Sequence, residues 1–247
     1  MITLDDIDFL IPIYADHSDR VRNLTITIDY LKRNGAKNVF VNEHYKHTQK
    51  VTFLNSQYIC KDITDEHFYN KMLSGNELFK RFSKNKIVCL YDVDVLVTKS
   101  NLLEASEKLL TGYGFAYPYN GYFYDIPLNL VEQIQNNTIK EINLKDCNLL
   151  SQRSVGGCVM FNRDCFIEAG GFNPHIKNVG YDDDEINVRY TKLGYKKYRT
   201  NSPILHLTHF RGETTYDHNI YNGHNINELQ KIDLMPIDQL QSYIKTW

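Results

Sequence analysis

An α/β fold built on a mostly parallel sheet is predicted by three features of the sequence. Short, β-rich apolar runs at Ile7 to Tyr14 (IDFLIPIY), Val39 to Val41 and Ile87 to Tyr91 (IVCLY) read as strands buried on both faces. Between the first two runs, Val21, Leu24, Ile28 and Leu31 recur at helical spacing. A strand–loop–helix–strand order of this kind belongs to parallel sheets, whose crossovers carry helices.

The elements follow in order. Pro12 sits near the end of the first run, where the chain is expected to leave the sheet. A polar loop, Ala15 to Asp19, leads into the first helix, and Gly35 after Asn34 reads as its C-cap. Thr64 to Phe82 is expected to be helical, with Phe68, Met72, Phe79 and Phe82 on one stripe. The Ile87 strand runs straight into Asp92-Val93-Asp94, and Leu102 to Leu110 reads as a helix. Gly112 to Pro127 is aromatic and turn-rich and is expected to be irregular. Val159 to Asn162 is a short strand, followed by a helical turn ending at Gly170-Gly171. Ile186, Tyr190 and Leu193 mark a helix that Gly194 ends. Leu229, Ile232 and Leu240 suggest that residues 226 to 247 pack as helices on the domain; a peripheral membrane or partner contact is the competing reading, and the mixed charges count against it. There is no repeat, low-complexity tract or linker, so residues 1–247 read as one domain.

Composition narrows the function classes. With 42% hydrophobic and 23% charged residues among 247, the chain has the make-up of a soluble globular protein and not of a disordered one. A net charge of -2 argues against a broad electrostatic nucleic-acid binder. No run of apolar residues reaches the roughly eighteen needed for a transmembrane helix. The opening MITLDDIDFLIPIY carries acids where a secretory signal needs a basic flank, so a cytoplasmic location is expected. In that compartment the sequon Asn23-Leu24-Thr25 carries no meaning. The five cysteines are odd in number and lack C-x-x-C spacing, which indicates buried free thiols, not a zinc knuckle or disulfide framework. Eighteen tyrosines suit cores and carbohydrate surfaces equally, and so separate neither.

Four constellations could carry chemistry. Asp92-Val93-Asp94 lies at the carboxyl end of a buried strand, where open α/β sheets place ligands. Two carboxylates there require solvation, pairing or a hard divalent cation, which could also hold a diphosphate. The alternative is a turn in which Asp92 caps the backbone. A haloacid-dehalogenase phosphatase motif fits poorly, since it wants Thr or Val where Leu96 stands. Tyr181-Asp182-Asp183-Asp184-Glu185 opens a helix. Acids complement the dipole there, but four are more than a cap needs, and crowding raises carboxyl pKa values in a way that suits a general base. His206-Leu207-Thr208-His209 offers two imidazoles to a metal or to the surface. Gly156-Gly157 allows a ligand close to the backbone, or marks a plain turn.

The order of these signals is more specific than any one of them. A strand ending in Ile-Pro, a strand ending in Asp-Val-Asp, then Gly-Gly, Gly-Gly-Phe, an acidic helix start and His-x-x-His resembles the GT-A glycosyltransferases, in particular the β-1,4-galactosyltransferase and chondroitin-polymerase type. The resemblance runs from about Asp8 to Gly212 and is most specific over residues 155–189 (VGGCVMFNRDCFIEAGGFNPHIKNVGYDDDEINVR). It implies a Rossmann-like GT-A domain with a nucleotide-binding half (1–100), an acceptor and catalytic half (101–225) and a helical C-terminal segment (226–247).

The resemblance also implies roles. Pro12, Tyr14 and Arg20 would cradle the uridine nucleotide. Lys71 would lie near the diphosphate, with Asn76 further along the same helix. Asp94 and His209 would hold Mn²⁺ or Mg²⁺, with Asp92 and Val93 beside the ribose. Gly156 and Gly157 would lie against the donor sugar, Asp182 and Tyr181 would meet the acceptor, and Asp183 would be the general base. The partners implied are a UDP-sugar donor and a glycan or glycoconjugate acceptor, with no nucleic acid. Three departures stand out. Lys71 replaces an Arg, so a bidentate grip on phosphate is lost. The family's tryptophan before the acidic turn is absent, which leaves the acceptor platform to Tyr181 or the Tyr119–Tyr124 region. His206 stands where animal members carry a Met ligand. Residues i and i+3 of a strict strand face opposite ways, so His206 joins the metal only if the chain bends. A non-catalytic nucleotide- or glycan-binding module and a sugar nucleotidyltransferase are the alternatives; the latter wants a glycine-rich phosphate loop, and Ala15 to Arg20 has no glycine.

Overall fold

A computed structural model of the chain describes residues 2–45, 57–63, 69–136, 142–210 and 220–247. After a 3₁₀ turn at Leu4–Asp6, the elements are β1 (Ile7–Tyr14), α1 (Ser18–Arg33), β2 (Val39–Tyr45), β3 (Gln57–Asp62), α2 (Lys71–Phe82), β4 (Ile87–Tyr91), β5 (Val95–Leu96), α3 (Lys99–Leu110), β6 (Phe115–Tyr117), β7 (Phe123–Ile126), α4 (Leu128–Gln135), β8 (Asn148–Ser151), β9 (Cys158–Asn162), α5 (Arg163–Glu168), α6 (Asp182–Lys192), β10 (Lys197–Arg199), β11 (Ile204–Leu207), α7 (Asn222–Leu234) and α8 (Ile237–Ile244).

The expected sheet is present. Seven strands lie in the order β10-β6-β9-β4-β1-β2-β3. Every pair is parallel except those made by β9, which runs antiparallel to both β4 and β6. One apolar cluster extends from Leu4 to Ile204 and includes all five residues of β4. A second sheet, β5-β11-β7-β8, has no counterpart in the sequence reading. Its strands are two to four residues long, too short for an alternation to register. β6 and β7 both fall in the Gly112–Pro127 stretch expected to be irregular.

Two boundaries move for local reasons. Pro12 lies inside β1 and not at its exit. Phe9 and Ala15 donate their N–H groups toward β2, so the alternation aims position 12 toward β4, and β4 pairs with β1 only as far as Leu10. The missing proline donor therefore removes no ladder bond. The helix expected over Thr64–Phe82 begins at Lys71, because the Asn70 side chain accepts from the Leu73 N–H as an N-cap; Thr64 to Phe68 lie outside the described residues. Gly35 follows α1 at φ +101°, as a C-terminal glycine should.

The C-terminal segment packs as helices. Ile232, Leu240 and Ile244 form a small core with Val188, Leu193 and Trp247. All five cysteines are free; Cys89 and Cys158 are buried with their sulfurs 3.5 Å apart, and Cys60, Cys147 and Cys165 are half-buried. No helix among the described residues is long and apolar enough to cross a membrane.

Candidate active site

A cleft of about 470 Å³ opens at the carboxyl ends of β1 and β4. Pro12, Tyr14, Arg20, Lys71, Asp92, Val93, Asp94, Gly156, Gly157, Tyr181, Asp182, Asp183, His206 and His209 all line it. Residues that were nearly two hundred positions apart in the sequence reading thus meet in one place. Asn76 does not. Its carboxamide donates to the Phe172 carbonyl (2.7 Å) and accepts the Phe172 N–H (3.0 Å), so it ties α2 to the Gly170-Gly171 turn away from the cleft.

Asp94, His206 and His209 place one ligand atom each within 4.8 Å of one another. His209 Nε2 lies 3.0 Å and His206 Nε2 3.8 Å from Asp94 Oδ2. The bend needed for both histidines exists, because β11 ends at Leu207. It is pinned by α1: Asn23 donates to the Leu207 carbonyl (2.7 Å) and Arg22 to that of Thr208 (2.8 Å). Asn23, the sequon residue, is fully buried in doing so.

The set fits a divalent cation. His206 Nδ1 lies 2.7 Å from Asp125 Oδ1, and His209 Nδ1 lies 2.7 Å from the Phe210 carbonyl oxygen. Each imidazole therefore turns its Nε2 toward Asp94, in the outer-partner arrangement that orients metal-binding histidines. Burial opposes charge on His206, but Asp94 and Asp125 raise its pKa to about 9. Burial would likewise raise Asp94, yet the two imidazoles hold its carboxyl well below the usual range. The carboxylates of Asp94 and Asp125 thus favour positive charge at this spot, whether on an imidazole or on a cation that replaces its proton. Asp125 escaped sequence reading because it lies on β7, whose existence the sequence did not signal.

Lys71 is the hinge of the acidic side. Its ammonium lies 2.9 Å from Asp92 and 3.0 Å from Asp182. Burial works against this charge, but Asp182, Asp92 and Asp183 outweigh it and hold the pKa well above that of a free lysine. The geometry comes from the N-terminus of α2, which docks on the chain before α6: Asn70 donates to the Ile176 carbonyl (3.0 Å) and pairs with Asn178.

The acidic turn itself is strained. Asn178, Gly180 and Tyr181 have φ of +60°, +93° and +61°, and two of them carry side chains that disfavour this region. Asp182 is buried, with one oxygen on Lys71 and the other accepting the Gly180 N–H (2.9 Å). Its oxygens are thus engaged by Lys71 and by the turn, whereas Asp183 is half-buried on the cleft wall. Burial, reinforced by Asp182, Asp92 and Asp184 and only offset by Lys71, pushes the Asp183 carboxyl well above the ordinary value. A Cβ on Gly156 would lie 2.6 Å from Asp183 Oδ2, so this glycine keeps room for that carboxylate. Gly157, at φ +87°, accepts the Asp92 N–H at its carbonyl (2.9 Å).

The cleft also includes Tyr69, stacked on Tyr14 at 5.7 Å, Asp184 of the acidic run and Phe123, together with four residues not singled out in the sequence: Leu150, Ser151, Ser154 and Val179. Within the Tyr119–Tyr124 region, Phe123 reaches the cleft; Tyr119 is buried, its hydroxyl on the Gly156 carbonyl (2.6 Å).

Residues 137–213 match the family model described as the N-terminal domain of galactosyltransferase. That span contains Gly156, Gly157, the Asp182–Glu185 run and both histidines. A search of curated proteins by sequence returns no significant match. Among solved structures, the catalytic domain of Drosophila beta1,4-galactosyltransferase 7 in complex with xylobiose superposes with a TM-score of 0.50 at 18% identity, covering 94% of this chain and 82% of that one. The mannosyltransferase PcManGT from Pyrobaculum calidifontis, in complex with GDP-Man and Mn²⁺, superposes with a TM-score of 0.52 at 13% identity, covering 97% and 69%. The central sheet, its flanking helices and these superpositions identify the fold of this chain as the GT-A fold of glycosyltransferases.

Proposed function

We propose that the chain is a metal-dependent, inverting glycosyltransferase that moves a hexose or N-acetylhexosamine from a UDP-sugar to a hydroxyl of a glycan or glycoconjugate. One observation carries the reading: a single cleft holds a two-imidazole, one-carboxylate set and an acid of raised pKa, Asp183. Asp94, His206 and His209 would hold Mn²⁺ or Mg²⁺; the cation, when bound, neutralises charge on the departing diphosphate. The mannosyltransferase of like fold was solved with a nucleotide-sugar and Mn²⁺, which supports the pairing.

The chain's own groups do the rest. Pro12, Tyr14 and Arg20 form the wall for the nucleotide, and Lys71, with Asp92 and Val93, the floor near the diphosphate and ribose. Tyr181 and Asp182 frame the acceptor side. As the acceptor oxygen bonds to the anomeric carbon, the bond from that carbon to the diphosphate oxygen breaks and the hydroxyl proton passes to Asp183. A carboxylate of raised pKa is a stronger base for that transfer. Residues 1–100 then serve the donor, 101–225 the acceptor and the base, and 226–247 the packing of one domain; the main apolar cluster, from Leu4 to Ile204, spans the first two of these segments. The free thiols fit a reducing cytoplasm.

The direct test is UDP release from a panel of UDP-sugars, with Mn²⁺ and with EDTA, in the absence of acceptor. One sugar is expected to give slow, metal-dependent UDP, which names the donor. No release from any sugar, together with no Mn²⁺-dependent UDP binding by calorimetry, would overturn the proposal. Gly156→Ala should lower turnover about 100-fold, because the added Cβ displaces Asp183 by roughly an ångström. Affinity for UDP, which lacks the sugar that Gly156 would face, should change little. Full activity of this variant would remove the link between Gly156 and the base.

A further inference from the structure

Resting on the reading of Asp183 as the base, we propose that Asn225 is its positioning residue, and that the C-terminal helices are therefore part of the catalytic apparatus. Asn225 lies on α7, beyond the stretch that resembles the glycosyltransferases, and is fully buried. Its Oδ1 accepts the Lys177 N–H at 2.9 Å. Its Nδ2 donates to the carbonyls of Lys177 (2.8 Å), Gly180 (3.0 Å) and Val179 (3.3 Å). One carboxamide thus satisfies the backbone just before the strained Asn178–Tyr181 turn, at Lys177, and within it, at Val179 and Gly180.

The turn is under backbone strain. Three of its four residues are in the left-handed region, and residues such as Asn and Tyr are held there only when their surroundings over-determine the conformation. The residues immediately after it are Asp182 and Asp183. A turn released from its partners would relax toward ordinary φ values and rotate the start of α6, carrying Asp183 away from Gly156. Two other residues of α7 bind the approach to the turn: His224 Nε2 lies 2.8 Å from the His175 carbonyl oxygen, and Glu228 accepts from Asn173 at 3.2 Å. Asn225 reaches the turn itself.

Asn225→Asp is the sharpest variant. It keeps the acceptor for the Lys177 N–H but cannot donate to the three carbonyls. Asn225→Gln, which keeps both functions at the wrong reach, serves if the first variant does not fold. Each is compared with the wild type by hydrogen exchange over residues 177–183, by calorimetric titration with UDP and Mn²⁺, and by kcat and KM for UDP release from the preferred UDP-sugar. The expected result is faster exchange confined to 177–183, UDP affinity within twofold of wild type, and kcat lower by about 100-fold at unchanged KM. A general loss of structure would weaken UDP binding and kcat together, and that outcome overturns the proposal. So does unchanged exchange, or a wild-type kcat. If the wild type itself releases no UDP, the glycosyltransferase reading fails on its own; the positioning claim is then decided by exchange alone, with unchanged protection across 177–183 refuting it.

Discussion

Replacing Asp183 by Asn abolishes nearly all sugar transfer while Mn²⁺-dependent UDP binding survives. That is the expected result, and the expected loss is roughly 10²–10⁴-fold, the range that a positioned proton acceptor supplies. The substitution preserves shape, so Gly156 still faces a side chain of the same size. It removes only the capacity to take a proton. Burial and three neighbouring carboxyl groups hold the Asp183 pKa well above that of an ordinary aspartate. The sign follows: the active form is the carboxylate, so kcat/KM climbs with pH through a limb displaced above the usual value of about 4. The residual activity of the Asn variant should lack that limb. Near-normal turnover would exclude Asp183 as base, and an unshifted acid limb in kcat/KM, which reports the free enzyme, would mean that the titrating base is not this crowded carboxyl.

The second large effect concerns Asp94→Ala. Both imidazoles converge on its Oδ2, so the variant leaves them without the carboxylate they share. Loss of an outer partner of a metal ligand costs 10–100-fold in affinity, and loss of the carboxylate itself should exceed that. Calorimetric titration of UDP is the measurement, run with and without Mn²⁺. The wild type should show two distinct curves and the variant one. Two curves in the variant would place the cation elsewhere.

The comparison of sequence with structure divides along physical lines. Apolar runs registered correctly as β1, β2, β4 and β9, because burial on both faces leaves an unbroken hydrophobic signature. The acidic run, the histidine pair and the double glycine were visible because their residue types are unusual where they stand. Strands of two to four residues, such as β5, β7 and β8, leave no such trace, and Asp125 was lost with them. Asn76 misled for a different reason. Its place in the motif is the same whether its carboxamide faces a ligand or the Phe172 backbone, and only the fold distinguishes the two. Asn225 was invisible because a lone asparagine in a polar helix carries no pattern; its role lies in four contacts made 45 to 48 residues away.

The antiparallel strand β9 carries a consequence for how the chain is made. It fills the position between β4 and β6, so β4 gains its second neighbour only when residues 158–162 have been synthesised. Before then β3, β2, β1 and β4 can assemble on the ribosome, but they do so with a five-residue apolar edge, IVCLY, open to any passing strand. The 66 residues between Tyr91 and Cys158 keep that edge uncovered for roughly 3–13 s at ordinary rates of synthesis. A chain truncated in that interval is left with an adhesive flank, and nascent-chain chaperones would find their substrate there.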